Sequence, residues 1–191
     1  MVVHASPDAP GVDLLIDNEK VNAAALTFFN GTGYLEITSG VRNIKVNAAG
    51  TSTTVINADI EFTSNMNYSL FACNLLNNLE AVLYEDNVSA PASGKAHVRF
   101  IHMSPDAPAV DIALDGSDVV FPNVAFKQSS SLTPLDAGTY DLEVRVAGTQ
   151  TVALDLDPIT LESGKIYTVV ARGTLSGTGD QTLTASIIAN N

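Results

Sequence analysis

The sequence predicts an all-β protein made of two tandem β-sandwich domains of the immunoglobulin-like or Greek-key type. A string of ten residues occurs twice, at an offset of 98 residues and with eight identical positions. Many short segments alternate apolar and polar residues with a period of two, and no window shows sustained helical periodicity. Turn residues separate these segments about every 8 to 12 residues, which is typical of a sandwich.

The repeated string divides the chain into two domains. Its copies, HASPDAPGVD and HMSPDAPAVD, occupy residues 4–13 and 102–111. In a chain of 191 residues, this repeat gives two units that are each large enough to bury a core. We therefore place the first domain at residues 1–87, a small-residue linker at 88–95, and the second domain at 96–191.

The strands of the first domain follow from apolar alternation between turns. Residues 42–48 are the clearest case, since Ile44, Val46 and Ala48 alternate with polar neighbours. Short apolar pieces also occur at residues 26–29 and 34–37. The predicted strands are residues 2–5, 12–16, 42–48, 53–60, 68–73 and 79–84.

The second domain repeats this plan. Residues 138–146 have the cleanest alternation in the chain, which predicts one strand with Tyr140, Leu142, Val144 and Val146 facing inward. Asp141, Glu143 and Arg145 are then expected to face outward. The other predicted strands are residues 97–101, 110–114, 150–156, 166–171 and 183–188.

The opening strand of the first domain is predicted to be truncated. Residues 96–101 form a strand-like segment before the second copy of the string, whereas only Met1, Val2 and Val3 precede the first copy. We expect that further residues, including a signal sequence, once preceded Met1. This predicts an exported protein that is periplasmic, on the cell surface or extracellular. One version of this prediction is a protein anchored to a membrane by a lipid on the missing N-terminal segment.

Composition excludes several function classes. The net charge is −12 with nine Lys and Arg residues, so no basic cluster exists for a phosphate backbone or an anionic membrane surface. No run of about 18 apolar residues predicts a membrane span. The one cysteine, Cys73, permits no intrachain disulfide and lies in an apolar run, as expected for a small buried residue.

The repeated string carries a family resemblance. His-x-Ser-Pro-Asp-Ala-Pro-x-Val-Asp is followed by an Asp-containing turn, and residues 137–146 later add Ala-Gly-Thr-Tyr-x-Leu-x-Val. This pattern resembles the DUF4397 domain, a bacterial family of unknown function. The resemblance covers nearly the whole chain as two copies and implies exported, often lipid-anchored or surface-associated β-sandwiches without established catalytic residues. The first copy departs from the pattern after Asp17, which predicts a remodelled middle.

The string itself is predicted to be a structural corner between two strands. Its prolines fix φ and remove two backbone donors, so the segment leaves regular strand geometry. We expect the His ring to bond a carboxylate or a carbonyl. The first Asp of the string is expected to accept hydrogen bonds from turn amides. The second Asp is expected to hold the corner against the next strand. The structural set is His4, Ser6, Pro7, Asp8, Pro10 and Asp13, with His102, Ser104, Pro105, Asp106, Pro108 and Asp111 in the second copy.

Two chemical alternatives remain for the same residues. Ser6 or Ser104 beside its His suggests a hydrolase, but the corner lacks the strand–turn–helix context of a nucleophile elbow. A metal site, Ca²⁺ above all, is the second alternative, and its candidate ligands share the His and Asp chemistry of the string. They are His4, Asp8, Asp13, His102, Asp106 and Asp111, and Asp17 and Asp115 are further candidates.

The function expected from these observations is non-enzymatic. The chain is predicted to be a structural or interaction module of the cell envelope or extracellular space, with a self-assembling surface or fibre subunit as one form. Its partner would be a protein or another copy, since a sheet with a short edge strand can accept a strand from a neighbour. A Ca²⁺- or glycan-binding adhesion domain is the alternative, and no cofactor is otherwise predicted.

Overall fold

The computed structural model describes all residues from 1 to 191. The chain is all-β and divides into two compact units, Met1–Asn87 and Val88–Asn191, which we call unit 1 and unit 2. Each unit packs β-sheets around a core of its own. The predicted tandem of β-sandwiches is therefore confirmed.

Unit 1 contains two sheets. Its strands are β1 (Val2–His4), β2 (Val12–Ile16), β3 (Glu19–Lys20), β4 (Gly40–Ala48), β5 (Thr54–Phe62), β6 (Asn67–Cys73) and β7 (Glu80–Asp86). One sheet has the order β3-β2-β4-β5 and the other the order β1-β6-β7. All pairs are antiparallel except β1 with β6, which is parallel.

The core of unit 1 lies between these sheets because β2, β4 and β6 direct apolar side chains inward. Ile44 and Val46 are buried in β4, as their alternation predicts. The apolar piece at residues 34–37 forms no strand. The buried core residues are Val12, Leu14, Leu26, Ile44, Val46, Ile56, Phe62, Leu70 and Ala72.

Unit 2 has ten strands. They are β8 (Lys95–His102), β9 (Val110–Leu114), β10 (Val119–Val124), β11 (Thr133–Asp136), β12 (Gly138–Tyr140), β13 (Leu142–Val146), β14 (Val152–Asp155), β15 (Ile159–Leu161), β16 (Ile166–Arg172) and β17 (Thr184–Ala189). The sheet orders are β10-β9-β13-β14, β11-β8-β16-β17 and β12-β15. β8 is central in its sheet, antiparallel to β11 and parallel to β16.

The predicted strand 138–146 is wrong in two respects. It is interrupted at Asp141, because Gly138–Tyr140 pairs with β15 whereas Leu142–Val146 pairs with β9 and β14. Glu143 and Arg145 lie outside the hydrophobic cluster, yet they are buried rather than solvated. They form an ion pair with each other, which allows both charges to leave water.

The segment without strands between β7 and β8 is residues 87–94, so it begins and ends one residue before the predicted linker. Residues 88–94 contain no strand, but Lys95 already belongs to β8. Lys95 pairs with Asp136 of β11 through the backbone, and its ammonium group lies 2.7 Å from the Asp136 carboxylate. Helical structure is limited to two 3₁₀ turns, Leu76–Asn78 and Gly179–Gln181, and no helix is long and apolar enough to cross a membrane.

Candidate functional site

The two copies of the repeated string form the same corner in each unit. His4 and His102 end β1 and β8, and both rings are buried, with 1% and 0% of their surface exposed. The Nε2 atom of His4 lies 2.9 Å from the Pro10 carbonyl oxygen, and that of His102 lies 3.1 Å from the Pro108 oxygen. The ring therefore ties the strand end to the end of the corner six residues later.

The other ring nitrogen fixes the tautomer. The backbone N–H of Ser6 donates to His4 Nδ1 at 3.4 Å, and that of Ser104 donates to His102 Nδ1 at 3.3 Å. Because Nδ1 accepts, the proton of the neutral ring is on Nε2, which donates to the proline carbonyl. Both nitrogens are thus used within the corner.

The serines of the string are not arranged as nucleophiles. The Ser6 hydroxyl donates to Asp8 at 3.4 Å, and the Ser104 hydroxyl donates to Asp106 at 3.3 Å. Neither hydroxyl bonds the neighbouring His, and both serines are fully buried. A nucleophile needs a base within hydrogen-bond reach and access for the substrate, so this geometry supports the structural interpretation.

Asp8 and Asp106 bond a loop distant in sequence. The Leu76 N–H donates to Asp8 Oδ1 at 2.8 Å, and the Leu175 N–H donates to the Asp106 carboxylate at 3.0 and 3.1 Å. Both amides lie just beyond the strand that pairs in parallel with the opening strand. The predicted bond to an amide is present, but it spans 68 or 69 residues rather than one turn.

Asp13 and Asp111 hold the turn after β4 and after β13. The Gly50 N–H donates to Asp13 at 2.9 Å, and the Gly148 N–H donates to Asp111 at 2.8 Å. Lys20, which is 2.8 Å from Asp13, and then the Gly50 N–H hold the pKa of that carboxyl below its usual range. Both carboxylates therefore join the corner to the following strands.

The candidate metal ligands do not come together as a cluster. No group of three or more His, Cys, Asp or Glu side chains in residues 1–191 is arranged to hold a metal ion. Asp8 and Asp106 already accept backbone N–H groups, as do Asp13 and Asp111.

Burial of the His102 ring predicts a pH-dependent stability. Desolvation lowers the pKa of His102 from its ordinary value of about 6.5, so the unfolded chain takes up a proton more readily than the folded chain. The neutral ring therefore contributes fully to the free energy of unfolding above about pH 6.5. This contribution is lost as the pH falls toward the lower pKa of the folded state. Urea unfolding measures the free energy of unfolding of the wild type and of His102→Asn. The difference between the two values should become smaller below about pH 6.5, because only the wild type loses the contribution of this ring. A difference that stays constant down to about pH 5 would contradict this assignment.

The comparison with known families agrees with the two corners. The family model described as "Domain of unknown function (DUF4397)" matches residues 1–113 and again residues 96–191. This chain belongs to the DUF4397 family. No curated protein matches the sequence. The two matches begin at residues 1 and 96, shortly before the two copies of the string, and they overlap at residues 96–113.

The two DUF4397 units differ beside their opening strands. β8 has eight residues, whereas β1 has three. A cavity of about 660 Å³ opens in unit 1 beside Met1 and Val2, a size typical of ligand-binding pockets. We call it the unit 1 groove, defined by residues 34–37 on one side and residues 62–68 on the other.

The unit 1 groove has an apolar floor and a mixed rim. Ile44 and Leu70 contribute to the floor and are otherwise buried, each with 3% of its surface exposed. On the rim, Tyr34 and Met66 leave 39% and 40% of their surfaces exposed. Tyr and Met are enriched at protein interfaces, so the groove has the character of a binding surface.

Sequence reasoning did not identify the unit 1 groove as a site. It predicted a shortened opening strand, but it assigned site chemistry to the His, Ser and Asp residues of the string. No local pattern in the sequence marks this groove. The lining residues come from six separate segments, and only the fold brings them together.

Proposed function

We propose that this DUF4397 protein is a non-enzymatic structural or interaction module that binds another polypeptide through the unit 1 groove. The single observation that carries the proposal is a cavity of about 660 Å³ with an apolar floor and exposed Tyr34 and Met66 on its rim. Clefts of this size that combine apolar side chains with a few polar groups are common binding sites in proteins.

The chemistry of the recurring corner supports a non-enzymatic role. His102 and Ser104 are buried and bonded inside the corner, and their counterparts in unit 1 have the same partners. Residues that would have to bind and activate a substrate are therefore engaged in holding the strand end. We place the protein outside the cytoplasm, in the cell envelope or the extracellular space, and its composition with few charged residues favours this location.

Photo-crosslinking tests the proposed function. A photoreactive phenylalanine analogue replaces Met66 on the groove rim or, as a matched control, Val152, which is also an exposed apolar residue at 47% exposure. We expect the Met66 variant to cross-link a polypeptide, identified by mass spectrometry, in the producing cells or in concentrated purified protein. The Val152 variant should not give the same adduct. Equal adducts from both positions, or none from Met66, would contradict the proposal.

A further inference from the structure

The loop that pairs with β1 contains an asparagine followed by a glycine, Asn30 and Gly31, and no other asparagine of the chain precedes a glycine. Both residues are exposed to water. The Gly31 N–H donates no hydrogen bond within the protein, and Gly31 forms an isolated bridge with Val3 rather than part of a ladder. Glycine also has no side chain that could hinder an approach to its nitrogen. The Gly31 nitrogen is therefore open to reaction.

The side chain of Asn30 is held by Thr27, three residues earlier in the chain. Its Nδ2 atom donates to the Thr27 hydroxyl oxygen at 2.8 Å, and the Asn30 N–H donates to the Thr27 carbonyl at 2.9 Å. As part of an amide, Nδ2 is only a donor. Once a nucleophile has added to Cγ, Nδ2 becomes an amine that accepts a proton, and the Thr27 hydroxyl lies within reach to donate it.

Unit 2 has the same backbone contact at the corresponding place without the asparagine and glycine. The His4 N–H donates to the Asn30 carbonyl and the His102 N–H donates to the Gln128 carbonyl, both at 3.0 Å. Gln128 is followed by Ser129 rather than by glycine. Its longer side chain forms a less favourable ring with the next nitrogen, and the Ser129 side chain hinders the approach. The reactive pair is therefore confined to unit 1.

We propose that Asn30 is a site of spontaneous covalent modification, in which the Gly31 nitrogen attacks the Asn30 side chain and Thr27 supplies a proton. The Gly31 nitrogen loses its proton to hydroxide and bonds to Asn30 Cγ. The Cγ–Nδ2 bond breaks, and Nδ2 leaves as ammonia with a proton from the Thr27 hydroxyl, which water then restores. Addition of water opens the resulting succinimide at either carbonyl and gives aspartate or isoaspartate. This inference is independent of the proposed function.

Isoaspartate changes the support of β1. In this product the main chain passes through the former side chain, which adds a methylene group between Asn30 Cα and the Gly31 nitrogen. On one side of this point the Asn30 carbonyl accepts from the His4 N–H, and on the other the Thr32 N–H donates to the Val2 carbonyl at 3.0 Å. A longer main chain cannot keep both bonds in register. The modification therefore loosens the strand end that forms the corner of unit 1.

Peptide mapping of aged protein tests the site. The purified protein is kept folded in mildly alkaline buffer, a second sample is kept in urea, and digests of both are analysed by mass spectrometry. We expect the peptide with Asn30 to gain the mass difference between an amide and a carboxylic acid in both samples. Asn18 is also exposed but precedes Glu19, so its peptide should stay unchanged. A folded protein that stays unmodified after the unfolded chain has converted would overturn the inference.

Substitutions of the exposed Thr27 test its part in the reaction. Thr27→Val keeps the branched shape without the hydroxyl, and Thr27→Ser keeps the hydroxyl. We expect Thr27→Val to convert about two- to tenfold more slowly than the wild type, which is the effect of one hydrogen bond on a rate, and Thr27→Ser to convert at the wild-type rate. In urea all three chains should react alike, because the turn is lost. Equal rates for Thr27→Val and wild type when folded, or a difference that persists in urea, would overturn the role of Thr27.

The corresponding place in unit 2 provides a matched control. Gln128→Asn with Ser129→Gly introduces the reactive pair there, and Ala125 occupies the place of Thr27 without a hydroxyl. We expect the introduced pair to convert about two- to tenfold more slowly than Asn30 in the same molecule. Addition of Ala125→Thr should remove this difference. An introduced pair that reacts as fast as Asn30 without the added hydroxyl would contradict the proton transfer.

Amide hydrogen exchange tests the structural consequence. The modified protein carries an additional negative charge, so ion exchange separates it from the unmodified protein. We expect the His4 N–H to exchange about tenfold faster or more in the isoaspartate form. The His102 N–H, which makes the equivalent bond in unit 2, should exchange at an unchanged rate. Unchanged exchange of the His4 N–H in the isoaspartate form would overturn the loosening of β1.

Discussion

Replacing His102 with alanine is expected to lower the free energy of unfolding of unit 2 by about 3 to 5 kcal/mol. The ring is fully buried and bonds at both nitrogens, to the Ser104 N–H and the Pro108 carbonyl. Its removal leaves a cavity and deprives two backbone groups of their partner, and these costs add. Urea unfolding followed through unit 2 NMR signals measures the difference.

His97→Ala is the matched control because it removes the same side chain from the same strand. His97 is only half-buried, and its Nδ1 atom has no hydrogen-bond partner. We expect this variant to lose about 1 kcal/mol or less. The destabilisation by His102→Ala should be unchanged by added Ca²⁺ or by a chelator. Similar losses in both variants, or stabilisation of the wild type alone by Ca²⁺, would contradict the structural role of the corner.

Replacing Glu143 with alanine is expected to lower the free energy of unfolding of unit 2 by about 3 to 5 kcal/mol. The side chains of Glu143 and Arg145 are 8% and 4% exposed and form an ion pair. Arg145 also donates to the Ser117 carbonyl at 3.1 Å. Truncation of Glu143 leaves the guanidinium buried with its charge uncompensated, which costs more than the pair contributes when intact.

A double variant, Glu143→Leu with Arg145→Met, separates lost charge from lost packing. Replacement of a buried ion pair by apolar residues of similar volume is often neutral or stabilising. We therefore expect the double variant to be more stable than Glu143→Ala in the same urea titration. A Glu143→Ala variant that loses less than about 1 kcal/mol would show that the guanidinium finds another partner or reaches solvent.

Much of the fold is predictable because its determinants are local. The alternation in residues 42–48 depends on the two-residue period of a strand, and β4 follows it. The prolines of the string exclude regular strand geometry, and a corner lies there in both units. Repetition at a constant offset predicts two equal units without any knowledge of contacts.

Prediction fails where a residue's partner is distant in the chain. Asp8 was expected to bond its own turn, but the amide that it accepts belongs to Leu76, which β6 brings alongside β1. Asp141 was placed in a continuous strand, but the neighbouring segments pair with different strands. Glu143 and Arg145 have an alternation typical of solvated positions, and only their ion pair makes burial tolerable.

The amino-acid sequence by itself determined that this protein is a pair of DUF4397 β-sandwiches in which one string forms the same corner twice. That much follows from periodicity, proline geometry and repetition, which are properties of neighbouring residues. Only the tertiary structure decided that the His and Asp residues of the corner are bonded internally, whereas the unit 1 groove is open. The walls of the groove are distant from each other in sequence, so its shape depends on packing across the sheet.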